Sequence, residues 1–487
     1  MSKRLFAAAL FVAFLLSACS SAHYQVNSRL EKCNKAGGYR IDNVYSNKKT
    51  PDDIYVILTF SGGGLRASAL SYGILEKLRD TVYEYKGRKS RLLDEVDVIS
   101  SVSGGSFTAA YYGLYGDRIF VDYESRFLKK KIQTSLKSLM TDAVNLFRLA
   151  SPFFSRIDLA AEFYDKNLFD NHTFKDLEKP GPFIVINATD MSLGAKFAFT
   201  QDQFDLLCSN LSDYPIARAV AASSDFPFLF SPLTLRNYSG SCGFREGAWV
   251  EEALQKRDIS SPGFAKANRI RSYQDREKRP YVHLMDGGLS DNLGVRELLY
   301  IITTTFDAKE ILSNVRKLNI TKIVFIVVNS QNETETDFDK WESPPGWWYE
   351  MMTVGNAPMD NGTFETITLL KRSVQLWKQG IESKKECEKA LKGACPGAEA
   401  PPSDFTDVDF YPIVIGFDSL RDEKERAYFK HLPTNFELPP GDVDKLRAVA
   451  GKLLDESPDF QRLLTDLKKE AGQAAPPAPN QKQEGGP

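Results

Sequence analysis

Three glycine-bearing segments constrain this chain more than any other feature: Ser61-Gly62-Gly63-Gly64-Leu65-Arg66, Ser101-Val102-Ser103-Gly104-Gly105 and Asp286-Gly287-Gly288. Each closely follows an apolar run that reads as a buried strand: Ile54–Phe60, Val96–Ile99 and Tyr281–Met285. A strand ending in a glycine turn that opens a helix is where α/β proteins place their binding and reacting groups. Together the segments supply a loop of accessible backbone amides, a serine on a sharp turn and a carboxylate. Acyl transfer through a serine needs all three.

Ser103 is the candidate nucleophile. A serine on a strand-to-helix turn projects its hydroxyl clear of the sheet, and small neighbours let the backbone turn that tightly. The usual elbow is Gly-x-Ser-x-Gly. Here Ser101 replaces the first glycine, and Gly104 and Gly105 follow the serine. Gly62, Gly63 and Gly64 supply candidate oxyanion donors, since without a Cβ the backbone can bring its N–H groups close to a ligand. A phosphate-binding loop is excluded because no Gly-Lys-Ser/Thr follows Gly64. A dinucleotide loop tolerates Ala67, but the polar stretch after Leu78 offers no strand to carry the acidic residue it also needs. Arg66 anchors the loop, meets a lipid phosphate or forms a structural salt bridge.

The chain has four histidines, His23, His172, His283 and His431. His283 lies three residues before Asp286 on one strand, so the two side chains point to opposite faces. Neither His172 nor His431 lies in a strand-end turn. Asp286, at a strand end before Gly287 and Gly288, is therefore the best candidate base, acting on Ser103 without an intervening imidazole.

Gly-Gly-Gly-x-Arg, a serine elbow and Asp-Gly-Gly, in this order, resemble the patatin-like phospholipase family. Ala221-Ala222-Ser223-Ser224-Asp225-Phe226-Pro227 and Asn292 add weaker echoes of it. The resemblance covers about 54–330. It implies a Ser103–Asp286 dyad, an oxyanion loop of Gly62, Gly63 and Gly64, support from Arg66, Gly104, Gly105, Gly287 and Gly288, and cleavage of fatty-acyl esters of lipids without cofactor or metal. Ser101 and Ala67 depart from the pattern but remove no reacting group.

The rest of the chain fits an α/β fold. Strand runs at Phe183–Thr189, Ile323–Val328 and Val408–Phe417 alternate with helical patterns at 70–78, 106–114, 118–170, 216–223, 295–303, 364–394, 419–430 and 441–468. The expectation is a three-layer α/β/α domain with a central, mostly parallel sheet and a helical insertion. Residues 51–330 form the catalytic part, 331–470 hold the insertion and complete the same domain, and 471–487, rich in Ala, Pro, Gln and Gly, form a disordered tail. Trp341, Trp347, Trp348 and Tyr349 fit either a membrane contact or a loop over the core. Lys129-Lys130-Lys131 reads as a solvated helix face.

At the N-terminus, Lys3 and Arg4 precede the apolar stretch Leu5–Leu16, too short to span a bilayer. Residues 1–18 therefore read as an export signal. Leu16-Ser17-Ala18-Cys19 resembles a bacterial lipobox, which implies that Cys19 becomes the lipidated N-terminus and that residues 19–50 are a polar tether. Ser20, in place of Asp, implies the outer membrane. Phospholipid is then the partner at hand, and a net charge of −2 gives no sign of nucleic acid. Of the other cysteines, Cys387 with Cys395 is the first expected bridge and Cys208 with Cys242 the second, leaving Cys33 free; no zinc spacing is present. Two other readings stay open: a surface lipoprotein that binds without turnover, and an esterase or thioesterase of soluble acyl compounds.

Overall fold

The computed structural model describes residues 23–46, 53–85, 88–225, 230–296, 299, 320–333, 340–394 and 408–473. In chain order its strands are β1 (Ile54–Phe60), β2 (Val82–Tyr85), β3 (Arg88–Arg91), β4 (Val96–Val102), β5 (Phe183–Asp190), β6 (Ala195–Ala198), β7 (Leu233–Arg236), β8 (Tyr281–Asp286), β9 (Lys322–Asn329) and β10 (Asp409–Gly416). An eight-stranded sheet runs β10-β9-β1-β4-β5-β8-β7, with β6 beside β5; β2 and β3 form a separate hairpin. The pairs from β10 to β5 are parallel, whereas β6, β7 and β8 join antiparallel.

Every residue of β4 and β9 is buried, as interior strands of a sheet covered on both faces should be. Helix Gly64–Asp80 packs against Gly104–Tyr115 and Pro440–Asp455, while helix Trp347–Ala394 lies against β10 and the short turn Gly288–Asp291. The fold is the mostly parallel, three-layer α/β/α domain read from the sequence. Strand register then fixes the site. Val102 pairs with Asn187, and the next residue of β5, Ala188, pairs with Asp286. The turn after β4 and the end of β8 therefore meet at one level of the sheet.

Four expectations need correction. From His23 to Ser46 the chain is docked rather than a tether: Tyr39 is fully buried, its hydroxyl donating to the Ile184 carbonyl at 3.1 Å and accepting from the Ile184 amide at 2.7 Å. Arg40 adds ion pairs to Asp202 and Asp205. The long helix begins at Trp347, well before Phe364, running through Gly355, Pro358 and Gly362, residue types that ordinarily weaken or break a helix. The last helix runs to Gln473, into the expected tail, whose remaining residues lie outside the described ones. The disulfide is Cys208–Cys242, and Cys387 is a free, exposed thiol. Cys395, the signal segment with Cys19, and most of 295–303 lie outside the described residues.

Candidate active site

Ser103 sits directly after β4 with φ 49° and ψ −122°, a conformation that L-residues adopt only under constraint. The constraint is visible. Its amide donates to the Ser223 hydroxyl at 2.9 Å, and its carbonyl accepts from the Ser106 amide at 2.9 Å. The turn needs glycine next: a Cβ on Gly104 would lie 1.9 Å from the Gly64 carbonyl oxygen. The serine elbow and the glycine loop thus touch backbone to backbone. Ser101, where a glycine was expected, lies in regular strand and donates its hydroxyl to the Val185 carbonyl at 3.1 Å, so no special backbone is needed there.

The glycine loop turns from β1 into helix Gly64–Asp80 through positive φ at Gly63 (137°) and Gly64 (59°). The Gly62 carbonyl accepts from the Ser330 hydroxyl at 2.7 Å, and its amide donates to the Asn292 carbonyl at 3.1 Å. Gly62 is therefore committed to the scaffold. The amides of Gly63 and Gly64, at a helix N-terminus where no intrahelical acceptor exists, are the two of the three that stay available. Arg66 meets neither a carboxylate nor solvent. Buried, it donates to the carbonyls of Ser330 (2.7 Å) and Leu432, to Asn332 Oδ1 (3.0 Å) and to Thr434 Oγ1 (2.9 Å). It anchors the loop to two other segments.

Asp286 is buried, and its Oδ1 accepts the Gly288 amide at 2.7 Å. Its carboxylate is also within hydrogen-bonding reach of the Ser103 side chain. Burial raises its pKa to about 6, against the opposing pull of those two hydrogen bonds. A carboxylate so poised is ionised at neutral pH yet basic enough to take a proton. The histidines are engaged elsewhere: His23 stacks on Phe153, His172 pairs with Asp176, His283 meets Thr234 on the exposed face of β8, and His431 meets the Ala427 carbonyl.

Two residues of the 221–227 stretch brace the site in a way the sequence does not signal. Ser223 binds the Ser103 amide through its hydroxyl and the Gly287 amide through its carbonyl at 3.1 Å; the Asp225 carbonyl accepts the Asp286 amide at 3.0 Å. Asp225 is a second buried carboxyl, with Oδ1 lacking a hydrogen-bond partner. Burial and the neighbouring Asp286 charge push its pKa up to about 9, so it is protonated at neutral pH. Asn187 adds a brace from β5, donating to the Ser101 carbonyl at 2.9 Å. Hydrogen bonding between segments far apart in sequence has no local signal, apart from the placement of small polar residues at a helix end.

The profile of the patatin-like phospholipase family matches residues 58–299, from β1 through the turn that carries Asp286. The chain carries a patatin-like phospholipase domain. Within the patatin-like domain fall the glycine loop, the Ser103 elbow and Asp286. Among solved structures, human GIVD cytosolic phospholipase A2 is similar at 13% identity and a TM-score of 0.40, covering 86% of this chain and 63% of that one. The same human protein in complex with methyl gamma-linolenyl fluorophosphonate is similar at 14% identity and a TM-score of 0.35, covering 87% and 60%. The chain thus spans less than two thirds of that protein's length. Among curated proteins none matches this chain.

Helix Trp347–Ala394 borders the site. A Cβ on Gly288 would lie 2.9 Å from Met359 Sδ, and Arg296 donates to Thr366 Oγ1 at 3.0 Å. Trp341 and Tyr349 contact edge to face at 5.7 Å at its start, both exposed. Of the lysine run, Lys129 pairs with Glu124 and Asp444, and Lys130 meets Asn167.

Proposed function

We propose that this protein is an envelope-anchored acyl hydrolase that cleaves fatty-acyl esters of phospholipids or lysophospholipids with a Ser103–Asp286 dyad. The carrying observation is the Asp286 carboxylate, buried and of raised pKa, within reach of a serine held in a strained elbow. Ser103 Oγ attacks the ester carbonyl carbon while Asp286 takes its proton. The amides of Gly63 and Gly64 hold the oxyanion, and the helix they open adds its dipole. Collapse of the intermediate expels the alkoxide, which receives the proton from Asp286. Water then attacks the acyl-serine, giving its proton to Asp286; the fatty acid leaves as Ser103 recovers its hydrogen.

Anchoring rests on the lipobox at Leu16–Cys19, with Ser20 favouring the outer membrane. Among the described residues no helix is long and apolar enough to cross a membrane. A multiply acylated cysteine holds a protein at a bilayer where one chain does not.

The test is fatty-acid release from phospholipid vesicles by the wild type beside Ser103→Ala and Asp286→Asn. Release by the wild type, lost in both folded variants, supports the dyad. If the wild type releases nothing and a fluorophosphonate leaves Ser103 unlabelled, the reading fails and a binding scaffold takes its place.

A further inference from the structure

Helix Ala143–Leu149 is short and apolar, and none of its residues is buried. Val144, Leu146 and Phe147 are 57%, 54% and 50% exposed, and Phe153, just beyond the helix, is 56% exposed. The side toward the protein is already satisfied: Leu139, Met140 and Leu149 pack on a small cluster of Phe154 and Leu159. Arg148 closes the flank by pairing with Glu162 at 2.6 Å and stacking over Phe154 at 4.0 Å. What remains outward is an exposed apolar face on a capped helix, with Asp142 Oδ1 accepting the amides of Val144 and Asn145. Soluble surfaces seldom carry such a patch unless something covers it.

The course of the chain says what covers it. Residues His23 and Tyr24 lie on this patch: the His23 ring stacks on Phe153 at 5.2 Å, and the Tyr24 amide donates to the Phe153 carbonyl at 2.7 Å. Cys19 lies four residues before His23. Even fully extended, that span reaches no more than about 14 Å. A lipid on Cys19 would therefore enter the bilayer next to Val144, Leu146, Phe147 and Phe153. The patch also connects to the dyad. The helix Arg156–Tyr164 that follows it packs on Ile216–Ser223, whose end holds Ser103 and Gly287.

We infer that the face formed by Val144, Leu146, Phe147 and Phe153 inserts into the interfacial layer of the bilayer, beside the acylated N-terminus, and orients the active site toward the lipid. The inference rests on the anchored reading for the position of the acyl chains, but the apolar face stands apart from it. Short amphipathic segments bind in this way, with aromatic and aliphatic side chains at the level of the head groups.

The test is hydrogen–deuterium exchange on the full chain reconstituted in vesicles of phosphatidylethanolamine and phosphatidylglycerol, and on the Cys19→Ser chain with and without the same vesicles. Slowed exchange across 142–154 is expected. Seen in both forms, it shows the face acting on its own; seen only in the lipidated form, it shows the anchor supplying affinity and the face orientation. In the Cys19→Ser chain, or in the lipidated chain if only that binds, Val144→Glu with Phe147→Glu should weaken vesicle partition by about tenfold. Hydrolysis of a short soluble ester should be unchanged. Three outcomes overturn the inference: no slowing at 142–154 in either form, slowing confined to 341–352, or self-association without lipid that the double variant abolishes. Intact mass at Cys19 tests the anchor separately, so its failure and that of the face are distinguishable.

Discussion

Ser223 holds Ser103 in place from a distant part of the chain: its hydroxyl accepts the Ser103 amide at 2.9 Å while donating to the Asn187 carbonyl at 2.6 Å. The same residue's carbonyl accepts the Gly287 amide, so one side chain and one peptide group tie the elbow to the turn that bears Asp286. Ser223→Ala leaves a buried amide unpaired at a strained residue, which costs about 1–3 kcal/mol. The expected result is a kcat lower by about 10–100-fold, with the rate of fluorophosphonate labelling falling in step. Unchanged labelling would mean that the tie does not position Ser103.

The pH dependence follows from Asp286. Its native pKa of about 6 lies above the ordinary 3.8, so the folded state keeps a proton over a window where the unfolded chain has lost it. Stability from this group is therefore greatest below that window and falls as pH rises through about 6. Activity should move the other way, rising about tenfold per pH unit below 6 and levelling above it. Asp286→Asn should abolish turnover yet raise Tm at pH 8, which thermal melts of both proteins would show.

Asp225 is protonated at neutral pH, so Asp225→Asn should keep activity at pH 7 within about threefold. Ionisation of Asp225, centred near pH 9, places a second negative charge beside Asp286 in the buried site. The wild-type rate should therefore fall above pH 9, and the asparagine variant should lose that alkaline limb. A pH–rate profile of the two proteins decides it.

Arg66 satisfies four acceptors on segments 330–332 and 432–434. Lysine cannot reproduce that fork, so Arg66→Lys should cost about 2–4 kcal/mol and loosen the oxyanion loop. Denaturant unfolding would show a lower midpoint, with kcat falling rather than KM rising.

Cys208 and Cys242 close a loop of sequence separation 34. Reduction, or the paired alanine variant, should lower stability by about 2–4 kcal/mol. Calorimetry with and without reductant measures this directly, and the exposed Cys387 should react with a thiol reagent beforehand.

The glycine loop, the elbow and Asp286 were legible because each is a local pattern of strand, small residues and reacting group. So was the parallel core, where β9 carries the unbroken apolar run Ile323–Val328. The antiparallel course of β8 was not, because pairing direction depends on how far apart strand ends lie in space. The commitment of Gly62 to Asn292, and Asp225 as a neutral acid, depend on contacts between segments more than sixty residues apart. The 23–46 segment misled because its polar composition hides Tyr39 and Arg40, two side chains that fasten it to β5 and to helix Gln201–Leu206.

That fastening bears on enzyme kinetics. With so little slack between a lipidated Cys19 and a docked His23, the enzyme would meet substrate only by lateral diffusion in the leaflet that carries it. Its velocity would then follow the mole fraction of substrate in that leaflet, falling on surface dilution with inert lipid and ignoring bulk concentration. Vesicles without the enzyme, mixed into the same tube, would stay intact.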